Sequence, residues 1–433
     1  MKQILKRIII KIITWEARAI LRRFQPRIVA VTGSVGKTST KDAVATVLSA
    51  TYTIRKSQKS YNSEIGVPLT IIGRSSGWSN PLHWIVTIFK GATMIVFPGS
   101  YPEWLVLEVG ADRPGDIRSI TRWLKPDIAI VTRLSETPVH IEFFRSREQL
   151  IEEKSQLIRA VKKEGVAILN YDDSDVRDFA RHANGSVLYY GFHSQAHVFA
   201  SHESVVYQSQ EKIEMPAGVS VKANTNGSSV PVMLQGVLGL QHIYPVLAAV
   251  AVGVSQQMNL ITIAQALAKH APPQGRMNLL RGIKNSLIID DSYNASPVAV
   301  QEALSVLKEI RVPNHRIAVL GDMRELGEHS KTAHMNVGEQ AASFCDTLFT
   351  VGVDARAIAE GALSAGMSES KVFSFDDAQK AGKELEKVLE AGDVVLVKGS
   401  QAVRCEKVVE EVMAEPMRAD ELLVRQGSEW KGE

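Results

Sequence analysis

Two consecutive α/β domains, each organised on a mostly parallel sheet, are what this sequence predicts. Three observations predict them. Short apolar, β-branched runs alternate with segments of helical period along most of the chain. That alternation breaks at Ala271-Pro-Pro-Gln-Gly-Arg276 and then restarts. The first of the runs, Ile28-Val-Ala-Val-Thr32, stops on the glycine loop Gly33-Ser34-Val35-Gly36-Lys37-Thr38, which opens a helix.

A chain of 433 residues has room for about two or three domains. Its two cysteines, Cys345 and Cys405, lack metal-ligand spacing and read as reduced structural residues of a cytosolic protein. The N-terminal apolar run is followed by no small-residue cleavage site, so no secretory signal is expected. Charge is uneven: residues 1–27 hold eight basic side chains and one acid, Glu16, net +7 in a chain of formal net charge +3. A basic excess confined to one short segment argues against nucleic acid as a substrate.

Residues 2–24 read as one basic amphipathic helix ended by Pro26. Leu5, Ile8, Ile12, Trp15 and Ala19 share one face, and Arg7, Lys11, Arg18 and Arg22 line another. Such a helix either lies on an anionic membrane surface or packs on the protein body with its basic side solvated. Next come the glycine loop and its helix. Backbone N–H groups and a helix N-terminus aim at phosphate in this layout, with Lys37 at the terminal phosphates and the Thr38 hydroxyl on Mg²⁺. The first glycine of the general P-loop pattern would fall at Val31, so the loop is a shorter one.

Tyr52-Thr53-Ile54 reads as a short strand. Residues 74–103 form an insertion whose apolar core, Leu82 to Phe97, is short for a membrane span and carries Lys90. It is either a hairpin touching a membrane or partner, or a buried insertion. Strands follow at Trp104–Gly110, Asp127–Thr132, Val166–Asn170 and Val187–Tyr190. Residues 196–235, with Asn224-Thr-Asn-Gly227, suggest an antiparallel ribbon, and Gln241–Val254 an alanine-rich helix. Past the joint, runs at Ser286–Asp290, Arg316–Leu320, Thr347–Val351 and Val394–Lys398 predict a second doubly wound domain. The charged tail after Pro416 is expected to be loosely held.

Several stretches carry chemistry. Glu108 ends a strand beside the phosphate loop, where a Mg²⁺ ligand belongs, although strand-end acids are common. His140 follows the next strand, and Lys154 sits in a helix from Glu148 to Ile158. Gly275-Arg276 lies at the joint, where the arginine could neutralise a transferring phosphoryl group. Asp290-Asp291-Ser292-Tyr293-Asn294 leaves the first strand beyond it and could grip ribose and base. Each has an ordinary loop as its alternative.

In this order and at these separations, the stretches resemble the Mur ligases, over residues 28 to about 412. Asn62-Ser-Glu-Ile-Gly-Val-Pro68, Gly321-Asp-Met-Arg-Glu-Leu-Gly327 and Val397-Lys398-Gly399-Ser400 strengthen the likeness. It is nearest to the branch that joins D-alanyl-D-alanine to UDP-N-acetylmuramoyl-tripeptide in peptidoglycan synthesis. The resemblance implies a central P-loop ATPase domain (28–275), a C-terminal Rossmann-like α/β domain (276–415) that closes over the substrates, and a tail (416–433). It implies ATP and two Mg²⁺ ions, an acyl phosphate intermediate, and a cytoplasmic monomer, at the inner face of the membrane if residues 1–27 or 82–97 touch lipid.

Carried over, the resemblance assigns the nucleotide to Gly33 through Ser39, with His242 at the adenine and Arg276, Asp291, Tyr293 and Asn294 at ribose and phosphates. Thr38, Glu108, His140 and a carbamylated Lys154 are the implied metal ligands. Lys37 and Arg276 join them in catalysis, and Asn62, Lys398 and Ser400 face substrate. The chain departs from the family where Gln241-His242 replaces a His-Asn pair, Arg133 an asparagine and Gln401 an arginine. Only 27 residues precede the ATPase segment, where most members carry a domain that holds UDP. An amide ligase acting on a lipid-linked or polymeric acceptor is therefore the alternative.

Overall fold

A strand apolar at nearly every position is built to be covered on both faces, and β1 (Arg27–Thr32) is buried from Ile28 onward. The computed structural model describes residues 2–58, 61–77, 80–134, 144–210, 213–427 and 430. In it β1 shares a nine-stranded sheet with β2 (Ile54–Lys56), β3 (Trp104–Glu108), β4 (Ile128–Val131), β5 (Val166–Asn170) and β6 (Ser186–Gly191). Three longer strands complete it: β7 (Val198–Gln210), β8 (Ile213–Thr225) and β9 (Ser228–Gln235). The order is β2-β3-β1-β4-β5-β6-β7-β8-β9, parallel from β2 through the start of β7. Because the chain fills one side of β1 and then crosses to the other, the C-terminal end of β1 is a switch point, where open α/β sheets take ligands. Asn226-Gly227, both at positive φ, turn β8 into β9, so the expected ribbon is present.

The chain divides into two compact units, residues 1–203, 221–232 and 241–270 in the first, and 204–220, 233–240 and 271–433 in the second. The division thus runs through the ribbon. The second unit holds its own six-stranded sheet: β10 (Asn278–Arg281), β11 (Leu287–Asp291), β12 (Arg316–Gly321), β13 (Thr347–Val351), β14 (Val372–Phe375) and β15 (Val394–Lys398). Its order is β10-β11-β15-β12-β13-β14, parallel apart from the edge strand β10. β10 and β14 have no counterpart among the expected strands. Both are four residues long at sheet edges, too short for a period to declare itself.

Six helices of the first unit matter below: α1 (Lys2–Phe24), α2 (Lys37–Ser49), α3 (Gly66–Ile72), α4 (Pro81–Val96), α5 (Asp116–Thr121) and α6 (Arg147–Arg159). α1 does not pack through the stripe of Ile8, Ile12, Trp15 and Ala19. It buries Ile13, Glu16, Ala17 and Ile20, while Ile8 and Trp15 are exposed. The helix carries two apolar stripes, and α3 and α4 cover the second. The insertion is neither hairpin nor fully buried. It is one helix, started by Pro81 and capped by the Asn80 side chain, with Trp84, Ile88, Met94 and Ile95 packed on the core.

The tail is not loosely held over 416–427. Ala419 and Leu423 enter the second core, and Arg425 is tied to buried Glu406 and to the carbonyls of Ser292 and Tyr293. Apolar residues spaced among the charges do this, which net charge conceals. Cys345 and Cys405 are buried thiols, and burial pushes Cys345 up to about 12.

Candidate active site

The glycine loop leaves the C-terminal end of β1 under close constraint. Gly33 has φ +144°, and a Cβ there would stand 1.9 Å from the Thr132 hydroxyl oxygen, so only glycine fits. Thr132, just past β4, donates its hydroxyl to the Val35 carbonyl at 2.6 Å. The Ser34 amide donates to the Arg133 carbonyl at 2.7 Å, and the Val35 amide reaches the same oxygen at 3.3 Å. Two loop amides are thereby spent on the neighbouring strand end. Gly36, in the left-handed region at φ 81°, then starts α2 without any side-chain cap. The amides of the first turn of α2 consequently have no partner within the helix and present its positive end.

Two lysines converge on this loop. Lys37 Nζ donates to the Gly33 carbonyl at 3.1 Å and the Ser34 carbonyl at 3.4 Å. Lys154, from α6, is buried and donates to the same Gly33 carbonyl at 3.0 Å. Burial, and secondarily the charge of Lys37, lowers Lys154 to about 7. Its neighbour Glu153 accepts the amides of Gly115 and Arg118, which fixes the start of α5 against α6.

A carboxylate completes the group. Glu108 stands in register with Val31 of β1 and is buried. One of its oxygens accepts from the Thr38 hydroxyl at 2.9 Å and the other from the Asn62 side-chain amide at 3.2 Å. Lys41, one turn beyond Lys37 on α2, is buried beneath and donates to the Ser57 carbonyl at 2.8 Å, while the Ser57 hydroxyl takes the Glu108 amide. The sequence reading missed Lys41, Ser57 and Thr132. The four-residue spacing of Lys37 and Lys41 was the one signal available for Lys41.

Lys37, Thr38, Asn62, Glu108 and Lys154 are therefore brought together. His242 is buried at the head of the helix Ile243–Ser255. His140 lies outside the described residues. Among those described, no group of three or more His, Cys, Asp or Glu side chains could hold a metal. Glu108 and Thr38 offer hard oxygens, which suit Mg²⁺ alongside phosphate and water, so they fit one ion. Lys154 as an amine does not fit a second; as a carbamate it would.

In the second unit, another cluster gathers where β11 and β15 end side by side. Asp291 pairs with Lys398, buried, which also donates to the Asn294 carbonyl at 3.0 Å. The Arg276 guanidinium lies over the Tyr293 ring, 4.2 Å from its centroid. Asp290 is fully buried, and burial pushes its carboxyl up to about 6. The second oxygen of Asp290 and the hydroxyls of Ser292 and Ser400 have no hydrogen-bond partner. The sequence-assigned Lys398 is thus held in an ion pair, and the half-exposed Arg276–Tyr293 stack is the flat surface of this cluster.

Comparison with known proteins bears on both clusters. The Mur ligase middle domain matches residues 31–76 and 92–253, and the Mur ligase glutamate ligase domain matches 275–401. The UDP-N-acetylmuramoyl-tripeptide–D-alanyl-D-alanine ligase of Bacillus subtilis is 26% identical over 402 residues, 93% of this chain and 79% of that protein. Its Escherichia coli counterpart is 29% identical over 386 residues, 88% of this chain and 76% of that one. The MurF ligase of Thermotoga maritima, solved with ADP, superposes with a TM-score of 0.72 at 29% identity, covering 93% of this chain and 83% of its own. Tandem α/β units with a glycine loop, a strand-end carboxylate and a buried lysine make this chain an ATP-dependent ligase. It belongs to the Mur ligase family.

Proposed function

We propose that this chain joins D-alanyl-D-alanine to UDP-N-acetylmuramoyl-tripeptide at the expense of ATP, in the cytoplasm and as a monomer. The observation that carries the reading is the convergence of Lys37, Thr38, Asn62, Glu108 and Lys154 around one loop, in a chain similar over most of its length to ligases of that name.

A tripeptide carboxylate oxygen attacks the γ-phosphorus of ATP, the bond to the bridging oxygen breaks, and acyl phosphate and ADP result. The amine of the dipeptide then attacks the acyl carbon and loses a proton, and the C–O bond to phosphate breaks. Lys37 and the positive N-terminal end of α2 neutralise charge at the phosphates. Thr38 and Glu108 would hold one Mg²⁺, with Asn62 fixing the carboxylate, and a carbamylated Lys154 would serve a second with His140. Bound there, Mg²⁺ supplies Lewis-acid stabilisation of the transferring phosphoryl group. The family resemblance assigns Arg276, Asp291 and Tyr293 to the nucleotide, and Lys398 and Ser400 to the incoming amine or the acyl phosphate.

Phosphate release from Mg·ATP, with products read by mass spectrometry and each substrate omitted in turn, tests the reading. UDP-linked pentapeptide formed only when both substrates are present supports it. Turnover with a lipid-linked acceptor but not with the UDP-tripeptide would replace it by the second reading, an amide ligase of membrane-linked acceptors. The basic and apolar stripes of α1 and the exposed apolar face of α4 favour that alternative.

A further inference from the structure

α4 is apolar on both sides. Its inner face packs on the core, and its outer face consists of Leu82, Ile85, Val86, Phe89 and Val96, each more than half exposed and Phe89 at 70%. A helix apolar all round needs cover on both faces. The exposed stripe runs about 21 Å along the helix.

α1 extends this face. Gly91 of α4 leaves room for the Glu16 side chain, and Arg23 donates to the Ile95 carbonyl, so that side of α1 meets α4. Stepping round α1 from Glu16, Ile12 and Ala19 come next, then Ile8 and Trp15, the latter 63% exposed. Lys11, Arg18 and Arg22 follow as a basic stripe. Arg18 and Arg22 also line a cleft of about 410 Å³ with Arg122, Lys125 and Lys162. The charge is one-sided: no Asp or Glu occurs between Glu64 and Glu103, and Glu16, the one acid of residues 1–27, is 2% exposed. The family match begins at residue 31 and passes over 77–91, so α1 and most of α4 lie outside the matched segments.

We infer that α1 and α4 together dock the protein flat on an anionic lipid surface, the apolar stripes entering the headgroup boundary and the basic stripe meeting anionic headgroups. No helix among the described residues is long and apolar enough to cross a membrane. Shallow insertion beside a basic stripe is the binding mode of an interfacial amphipathic helix.

Sedimentation of the full chain with vesicles tests this without substrates, so the outcome is separate from that of the ligase reading. Phosphatidylcholine vesicles are compared with vesicles that also contain phosphatidylglycerol. Binding to the anionic vesicles, weakened by salt, is expected. The double change Arg18→Gln and Arg22→Gln should weaken it about thirtyfold. Ile85→Ser with Phe89→Ser, at exposed positions that leave the core intact, should weaken it by at least about a hundredfold. No binding to either vesicle, or unchanged binding by both variants, overturns the proposal. So does a solution dimer that the Ile85/Phe89 variant dissociates, since a second copy would then cover the face.

Discussion

Lys37 and Lys154 donate to the same backbone oxygen, the carbonyl of Gly33. Burial, and after it the neighbouring Lys37 charge, disfavours the ammonium form of Lys154, which sits near 7. A carbamate on Lys154 would turn that repulsion into attraction and give a metal an oxygen ligand in place of a cation.

Carbamylation consumes the neutral amine and CO₂ and releases a proton. With a pKa of about 7 the neutral fraction of Lys154 rises about tenfold from pH 6 to pH 8. A ¹³C-carbamate signal from labelled bicarbonate should grow over that range and vanish in Lys154→Ala. Turnover of that variant should fall about 10–100-fold or more. Full turnover without the lysine would eliminate the carbamate role.

Asn62 touches Glu108, and the carboxylate also holds Thr38. Asn62→Ala should therefore raise the Mg²⁺ concentration needed for half-maximal rate and lower kcat about 10–100-fold. A rise in KM for the peptide acceptor alone would show instead that Asn62 contacts substrate directly.

Gly33→Ala forces a Cβ onto the Thr132 hydroxyl at a backbone angle that alanine rarely adopts. Loss of about 1–3 kcal/mol of stability is expected, together with loss of ADP binding by calorimetry. Thr132→Ala, which removes only the hydroxyl, should bind ADP more weakly but keep the fold.

Glu16 is buried in the seam between α1 and α4, one of its oxygens unpartnered, and burial raises its carboxyl to about 7. The folded state then holds a proton that the unfolded chain releases near 4.5, so stability falls as pH rises from 4.5 to 7. Glu16→Gln should remove that slope and gain about 1–2 kcal/mol at pH 8, allowing for screening. Melting curves of the two proteins should converge near pH 4.5.

The glycine loop and the strands around it were legible because each signal is local. A buried parallel strand must be apolar throughout, and a loop that meets a neighbouring strand at positive φ must be glycine. Val166–Asn170, Thr347–Val351 and Val394–Lys398 coincide with strands for that reason. The Mur likeness likewise rests on runs such as Asp290–Asn294 that sequence alone displays.

What the tertiary structure decided is which of several equivalent choices is realised. The period of α1 shows two apolar stripes, and only α3 and α4, distant in sequence, select the one to bury. Lys154 is unremarkable in its helix until packing across the sheet sets it on Gly33. Lys398 becomes an ion-pair partner only when β11 and β15 lie in register, Asp291 opposite Lys398. Period and propensity act within a few residues and so are written in the sequence. Burial, pairing and the pKa shifts that follow depend on which distant surfaces meet, and that is fixed only in the folded chain.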